Sequence, residues 1–198
     1  FFEGRNASGT FSTLEPTPTV TSVDDTEVDS AAGGNQTIVI TGTNFKSGDV
    51  ASFVGTSASF NATTTTVDST TQITAVAPKS SFLNAQEPYK VKVTSASGLA
   101  GQSQTGLINV DNAPTWTTNA GSLGSIDEAA TGNHFTVAAT DAEGDTVTYS
   151  LQSGSLAGLS LDASTGVISG DPTDVSSDTT NSFTLRATAG SKTADRAF

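Results

Sequence analysis

The sequence contains no cysteine and no methionine, and it has only one histidine and one tryptophan among its 198 residues. The lack of cysteine excludes disulfide frameworks, thiolate metal sites and thiol nucleophiles. Secreted eukaryotic domains of this size often carry a disulfide, so its absence favours a bacterial or viral origin. Packing alone can hold such a chain, since a unit of about 90 residues buries roughly 60 to 65% of its unfolded surface.

Basic residues are also scarce, because 8 Lys and Arg stand against 20 Asp and Glu and give a formal net charge of -12. A chain this acidic repels phosphate backbones, so we expect no nucleic-acid partner. It also has no run of about 18 apolar residues, so we expect no membrane insertion. The acidity suits a surface exposed to salt or one that binds cations.

Helical periodicity is missing as well, because no window of a dozen residues keeps apolar positions three and four apart. Thr, Ser, Gly, Asn and Asp are abundant instead, and β-branched residues form short alternating runs with turn residues roughly every 8 to 12 positions. The pattern predicts an all-β chain. The predicted strands are 19–23, 37–42, 50–54, 72–77, 89–94 and 107–110, followed by 133–139, 146–151, 166–169, 182–188 and 193–198.

The length suits two β-sandwich domains, each of about 100 residues. The strand rhythm breaks at Asp111-Asn112-Ala113-Pro114 and restarts with a different spacing. We expect a linker or the tail of a preceding domain at 1–17, a first module at 18–111 and a second module at 112–198. The chain opens on Phe1 without a leader and stops at Phe198 in a strand-like stretch. We therefore expect a piece of a longer protein, with the last strand truncated.

Period-two alternation predicts which side chains form each core. The predicted core residues are Ile38, Ile40, Val91 and Val93 in the first module, and Phe135, Val137, Val147, Tyr149, Leu151, Phe183 and Leu185 in the second. Trp116, the single tryptophan, follows the break. It is either a cap on a core edge or an exposed contact residue, because indoles are common at interfaces.

Three motifs in the first module resemble the IPT/TIG family of immunoglobulin-like domains. They are PTVTSV at 18–23, Gly33-Gly34 leading into TIVITGTNF at 37–45, and QITAVAP at 72–78. Gly42 and Asn44 tolerate tight backbone after the strand, which lets Phe45 fold back against the sheet. Members of this family occur in receptors, transcription factors, bacterial surface proteins, carbohydrate enzymes and phage structural proteins, so the resemblance implies packing rather than a single function.

The second module resembles the cadherin-like and putative-Ig repeats of bacterial adhesins and phage proteins. The resemblance rests on DAEGD at 141–145, VTYSL at 147–151 and LSLDASTGVISG at 159–170. Together the two resemblances imply an all-β chain of two tandem immunoglobulin-like β-sandwiches.

Calcium is the metal that the second resemblance implies, because cadherin repeats bind it at domain junctions through an acidic linker, an early glutamate and an acidic pair between strands. The comparable positions here are Asp111, Asn112, Glu128, Asp141 and Glu143. Their oxygens are of the type that calcium prefers. The alternative is a solvated acidic turn without metal, because the first module is not a cadherin repeat. The turn is not an EF-hand loop either, since its twelfth position is Gln152.

No G-x-S-x-G, P-loop or H-E-x-x-H motif occurs, and most acidic residues lie in turns rather than at strand ends facing a cleft. His134, next to a strand start, is expected at a surface or sheet edge. We therefore predict no enzyme, no catalytic residue and no cofactor other than the calcium. Asn6, Asn35 and Asn61 head N-x-[ST] sequons, which matter only in a host that glycosylates them.

The composition and both resemblances favour a non-enzymatic structural or adhesive surface module. The leading hypothesis is a phage virion protein, in a fibre or in capsid-surface decoration, that serves assembly or host-surface attachment. Its expected partners are other virion or surface-assembly proteins, a host-surface glycan or protein, and further copies of the chain. The alternatives are a bacterial cell-surface adhesin, a glycan-binding lectin module, or a spacer of a secreted carbohydrate-active enzyme, with an extracellular or cell-surface location.

Overall fold

The computed structural model describes residues 14–198, in which nearly all regular structure is β-strand. The helical segments of this range are two single turns of 3-10 helix, Lys79–Ser81 and Asn84–Gln86. No helix in residues 14–198 has the length and apolar character needed to cross a membrane. The all-β prediction is therefore confirmed. Asn6 and most of the predicted 1–17 segment lie outside the described residues.

Ten strands make up the first module. They are β1 (Thr19–Val23), β2 (Glu27–Val28), β3 (Asn35–Thr43), β4 (Val50–Val54), β5 (Ser59–Asn61), β6 (Thr64–Ser69), β7 (Gln72–Pro78), β8 (Lys90–Thr94), β9 (Ala100–Gln102) and β10 (Asn109–Val110). The order β1-β3-β7-β6 forms one four-stranded sheet, and β5-β4-β8-β9 forms the other. A short parallel pair, β10 with β2, closes the end from which the chain leaves the module.

The core between these two sheets is built from alternating β-branched residues and a group of aromatic rings. Ile38, Ile40, Val91 and Val93 are fully buried, as the alternation predicts. At one end of the core Phe53, Phe60, Phe82 and Tyr89 pack together, with ring centroids 5.0 to 5.8 Å apart. Edge-to-face and tilted ring contacts of this kind add to the energy of apolar burial.

The turn after β3 behaves as the sequence predicts, for two different reasons. Asn44 has a left-handed backbone, with φ 63°, and this turns Phe45 into the core, where it is 1% exposed. Gly42 is required instead by a close approach, because a Cβ there would lie 1.9 Å from the carbonyl oxygen of Thr19. The neighbouring strand β1, which pairs with β3 next to an irregularity between Val20 and Ser22, thus leaves no room for a side chain at Gly42.

Eight strands make up the second module. They are β11 (Thr115–Trp116), β12 (Asn133–Thr136), β13 (Ala139–Thr140), β14 (Thr148–Gly154), β15 (Leu159–Leu161), β16 (Val167–Gly170), β17 (Phe183–Ala189) and β18 (Lys192–Ala197). Two three-stranded sheets, β12-β16-β15 and β14-β17-β18, face each other, and β11 pairs with β13. Long irregular segments, 117–132 and 171–182, connect these strands.

The second core centres on Trp116, Val137, Tyr149, Ile168 and Leu185, all buried. Trp116 is therefore a core residue: its ring lies 5.7 Å from that of Tyr149, and its Nε1 donates a hydrogen bond to the Ala194 carbonyl at 3.0 Å. The predicted core residues Phe135, Val147 and Phe183 pack against this cluster while partly exposed.

Leu151 is the one predicted core residue that the structure contradicts, because 42% of it is exposed. Its strand, β14, lies at the edge of its sheet, and the pairing with β17 is interrupted by a bulge between Leu151 and Ser153. A bulge twists the strand and re-aims the side chains beside it. Alternation alone therefore assigns Leu151 to the wrong environment.

Candidate functional site at the module junction

The chain passes from one module to the other at residues 111–114, and both modules hold it there. On the first-module side, β10 continues the parallel pairing with β2, and the Asp111 N–H donates to the Val28 carbonyl at 3.0 Å. On the other side, Thr115 and Trp116 enter β11 and the second core. The linker between the two cores is therefore short and bonded at each end.

Asn112 is the centre of the junction, since only 9% of it is exposed and its polar groups bond to both modules. Its Oδ1 accepts hydrogen bonds from the first module, at 2.9 Å from Ser30 Oγ and 3.0 Å from the Ala31 N–H. Its Nδ2 donates to Glu143 Oε1 at 2.8 Å, and its backbone N–H donates to Glu143 Oε2 at 3.1 Å. Four hydrogen bonds thus connect the two modules through Asn112 and its carboxylate partner.

Further contacts tie the modules together on both sides of this centre. Asn84 Nδ2, in the first module, donates to the Ala142 carbonyl of the second at 3.2 Å. Ser191 Oγ donates to Asp111 Oδ2 at 3.1 Å, and Lys192 Nζ lies 3.9 Å from Glu27 Oε2. These bonds fix the angle between the modules more firmly than a flexible linker would.

The acidic turn at 141–145 folds around one carboxylate. Asp141 Oδ1 accepts the N–H groups of Glu143 and Asp145, both at 3.1 Å, which gives the turn its shape and points Glu143 at Asn112. The remaining oxygen, Asp141 Oδ2, is buried and has no hydrogen-bond partner within residues 14–198. The Asp141 carboxylate therefore orders the turn through Oδ1, while its Oδ2 has no hydrogen bond within the described residues.

Asp111 Oδ1 is buried without a partner in the same sense. Gly190 provides room beside it, because a Cβ at that position would lie 2.7 Å from Asp145 Oδ2 and 4.0 Å from Asp111 Oδ1. Buried carboxylate oxygens are costly when unpaired, and neighbouring carboxylates repel one another. The junction therefore concentrates negative charge that its own hydrogen bonds do not fully satisfy.

The five predicted calcium ligands do not all gather at this place. Asn112 and Glu143 contact each other, Asp141 adjoins them through the turn, and Asp111 lies in the linker. Glu128 is engaged elsewhere, with its Oε2 accepting the Val175 N–H at 2.9 Å. Within the described part of the chain, no group of three or more His, Cys, Asp or Glu side chains is arranged to hold a metal ion by itself.

Sequence reasoning missed several residues of the junction, among them Ser30, Asn84, Asp145, Glu27 and Ser191. Asp145 was predictable, because it belongs to the same acidic turn as Asp141 and Glu143. Glu27 and Ser191 carried no local signal: one lies in a two-residue strand and the other in a hairpin turn, and the fold alone brings them to the linker.

His134 lies on β12, at the edge of its sheet, as predicted. Its Nε2 is 2.9 Å from the Gly170 carbonyl oxygen, so the ring spans two neighbouring strands of that sheet. The contact accounts for the residue structurally.

Comparison with solved structures finds tandem Ig and cadherin proteins that share little sequence with this chain. The titin I-band fragment I67–I69 is 11% identical with a TM-score of 0.49, over 93% of this chain and 65% of that one. The protocadherin GammaB4 extracellular domain is 18% identical with a TM-score of 0.40, over 91% and 32%. Murine CEACAM1b is 13% identical with a TM-score of 0.37, over 91% and 96%. The chain thus spans a third to two thirds of the first two.

No curated protein matches the chain. Family models do match, and they divide it as the two resemblances do. The IPT/TIG domain model matches residues 18–110, and the Putative Ig domain model matches residues 113–198. Residues 18–110 are thus similar to IPT/TIG domains and residues 113–198 to Putative Ig domains, which confirms the predicted pair of tandem Ig-like modules.

Proposed function

We propose that the chain is a non-enzymatic structural and adhesive module on the surface of a phage virion, in a fibre or as capsid decoration. The observation that carries the proposal is the junction centred on Asn112. Inter-domain contacts within a chain otherwise permit relative motion by default. A linker bonded into both modules suits a spacer that holds a binding surface at a set distance and direction.

The composition supports a role on the surface of an assembly. The chain is free of cysteine, rich in Thr and Ser, and strongly acidic. Both of its families supply tandem modules to surface assemblies. A bacterial cell-surface adhesin and a spacer beside a secreted carbohydrate-active enzyme would use the same design, so location distinguishes the three.

Immunogold labelling with antibodies against residues 14–198 tests the location. Density-gradient-purified phage particles, washed cells and culture supernatant from the source culture are compared. The proposal predicts gold on intact particles at a regular position. Gold confined to the cell envelope would support the adhesin instead, and recovery in the supernatant with glycan-hydrolase activity would support the enzyme spacer. Either of these outcomes overturns the virion assignment.

A second proposal concerns a calcium ion at the junction, and the unpartnered oxygens of Asp111 and Asp141 favour it. Calcium takes 6 to 8 oxygen ligands in flexible geometry, so two carboxylates need completion by backbone carbonyls, amide oxygens and water. We propose Asp111 and Asp141 as its carboxylate ligands, with Asp145 beside Gly190 as a further candidate; other oxygens must complete the site, because the described residues hold no preformed group of three acidic ligands. Glu128 does not fit, because the Val175 N–H already engages it. A bound cation would offset the carboxylate repulsion and tighten the junction.

Thermal unfolding with calcium and with a chelator tests this second proposal. We expect calcium to raise the melting temperature of the wild type, because a ligand that binds only the folded state stabilises it by mass action. Asp111→Asn and Asp141→Asn should each abolish the calcium-dependent rise. Glu128→Gln is the matched control and should retain it. A melting temperature that is the same in calcium and in chelator would contradict the proposal.

A further inference from the structure

The outer surface of the sheet β5-β4-β8-β9 has a charge opposite to that of the chain as a whole. Strand register places its outward side chains in rows across the sheet. One row is Asn61, Ser52, Lys92 and Gln102. The next row is Ser59, Val54 and Lys90. We call these two rows the lysine face.

No carboxylate belongs to the lysine face, although the chain carries 20 acidic residues. Within residues 14–198, neither Lys90 nor Lys92 forms a salt bridge, whereas Lys46, Arg186 and Lys192 each do. Two carboxylates of the same module are used elsewhere: Asp49 accepts the Lys46 N–H, and Glu87 accepts the Val110 N–H. The two ammonium groups therefore have no neutralising partner on their own surface.

A recess opens beside Lys90 at the end of the lysine face. Its volume is about 370 Å³, and Val54, Thr56, Pro88, Lys90 and Gln102 line it. Gly55 and Gly106 contribute backbone to its wall. Gly106 packs closely on Pro88, since a Cβ on Gly106 would lie 2.4 Å from Pro88 Cβ. The recess thus combines an ammonium, an amide, a hydroxyl and two apolar surfaces. It is an open surface recess rather than an enclosed pocket.

We infer that the lysine face binds an acidic polysaccharide whose sugars carry carboxylates. This inference rests on the proposed attachment role and names the ligand class for it. Lys90 and Lys92 point the same way two residues apart on one strand, which separates their Cα atoms by about 7 Å. They can pair with carboxylates along a glycan chain, while amide and hydroxyl groups contact sugar hydroxyls and one sugar occupies the recess.

The overall charge decides between this ligand and a nucleic acid. Duplex DNA carries one negative charge per about 1.7 Å of axis. A protein with a net charge of -12 repels a polyanion of that density, and two lysines cannot compensate. A glycan with at most one carboxylate per sugar presents far less charge to the acidic remainder of the chain.

Binding to uronate polymers tests the inference on the full chain. The probes are polygalacturonate and hyaluronate, with methyl-esterified polygalacturonate as the uncharged counterpart of the same backbone. The protein is made in a bacterial host, since N-glycosylation of the Asn61 sequon would cover one row of the face. We expect at least one uronate polymer to bind, with affinity that falls as salt rises, and the esterified polymer to bind at least about tenfold more weakly.

Variants assign the binding to the face. Lys90→Gln with Lys92→Gln should weaken binding by about tenfold or more. Lys79→Gln removes a lysine of the same module that lies outside the face, and it should leave the affinity unchanged. Equal melting temperatures of the variants verify that folding is retained.

Several outcomes overturn the inference: no binding of either uronate polymer, equal binding of the esterified polymer, an equal loss in Lys79→Gln, or tighter binding of a single-stranded oligonucleotide. Immunogold labelling reads location independently of any ligand. A chain found on particles that fails to bind uronates would refute the ligand class alone, and uronate binding by a chain found elsewhere would refute the virion role alone.

Discussion

Gly42 shows how a single residue fixes the relation between two strands of the first module. Its Cα faces the backbone of β1, and a Cβ would lie 1.9 Å from the Thr19 carbonyl oxygen and 2.5 Å from the Phe45 ring. Gly33 offers a contrast, because its φ is 69° and nothing lies within 4 Å of its Cβ position. The first glycine is needed for space and the second for backbone conformation.

Gly42→Ala is therefore expected to lower the free energy of unfolding by more than about 3 kcal/mol, because the β1 backbone must move. Gly33→Ala should cost about 1 kcal/mol, the strain of a left-handed alanine. Urea unfolding of both variants measures the difference. Equal losses in the two variants would show that the Thr19 carbonyl does not limit the space at Gly42.

Tyr89 couples the stability of the first module to alkaline pH. Its hydroxyl accepts the Leu83 N–H at 2.7 Å and donates to the Leu83 carbonyl at 3.3 Å. Burial is the main cause that raises the pKa of the Tyr89 phenol above its ordinary value. Below the ordinary tyrosine pKa the phenol is protonated in both states. As pH rises, the unfolded chain ionises first, and the stabilisation is lost up to the folded-state pKa.

Tyr89→Phe should consequently weaken the decline in stability above about pH 10. At neutral pH it should itself cost about 1 to 3 kcal/mol, because the Leu83 N–H loses its partner inside the fold. Urea unfolding across pH 8 to 11.5 gives the profiles. Identical slopes in Tyr89→Phe and wild type would contradict the assigned role.

Among the strands, β14 differs from its predicted limits and from its predicted pattern of buried residues. The predicted strand 146–151 becomes Thr148–Gly154, and Leu151, just before the bulge of this edge strand, is 42% exposed. Its partner on β17, Leu185, stays fully buried. The two leucines thus lie opposite each other in one strand pair but in different environments.

Truncation of the two leucines tests this difference directly. Leu185→Ala should cost about 2 to 5 kcal/mol, because it leaves a cavity in the second core. Leu151→Ala should cost less than about 1 kcal/mol, because much of the side chain is already in water. Chemical denaturation monitored by Trp116 fluorescence reports on this core. A loss for Leu151→Ala as large as that for Leu185→Ala would return Leu151 to the core.

The longer strands were predictable because their alternating residues have no other stable arrangement. β1 and β4 have the predicted limits, and the buried sets on β3, β8 and β17 follow period two. β6 is six residues long and still escaped prediction, because Val67 is the one apolar residue of its Thr-rich run. The other strands that escaped prediction, including β2, β5 and β11, are two or three residues long. Runs that short carry no periodicity, and neighbouring strands rather than their own side chains determine them.

For the molecule as a whole, the sequence predicts the location of the junction but not its chemistry. The linker residues and the turn at 141–145 were identifiable from their acidic and amide side chains. Ser30 and Ser191 reach the linker across 82 and 80 positions, and Ser191 contacts Glu27 across 164, so only the packed fold could bring them together. Glu128 was predicted as a calcium ligand from its position along the chain in the cadherin-like resemblance. In the structure it accepts a hydrogen bond from the Val175 N–H instead.

Spin-label distances measure whether these contacts hold the two modules at one angle. The chain has no cysteine, so labelled pairs can be introduced cleanly. Thr66→Cys and Ser150→Cys place labels on exposed strand positions of different modules, and Ser59→Cys with Thr66→Cys is the control within one module. Asn112→Ala removes the central side chain, and Asn109→Ala changes an exposed neighbour.

If the junction contacts hold the modules at one angle, the wild type gives one narrow distance distribution between the modules, as narrow as that of the control pair. We expect clear broadening in Asn112→Ala, because Glu143, Ser30 and Ala31 lose their shared partner. Asn109→Ala should leave the distribution unchanged. A broad distribution in the wild type, or a distribution that stays narrow in Asn112→Ala, would show that Asn112 does not hold the modules at one angle.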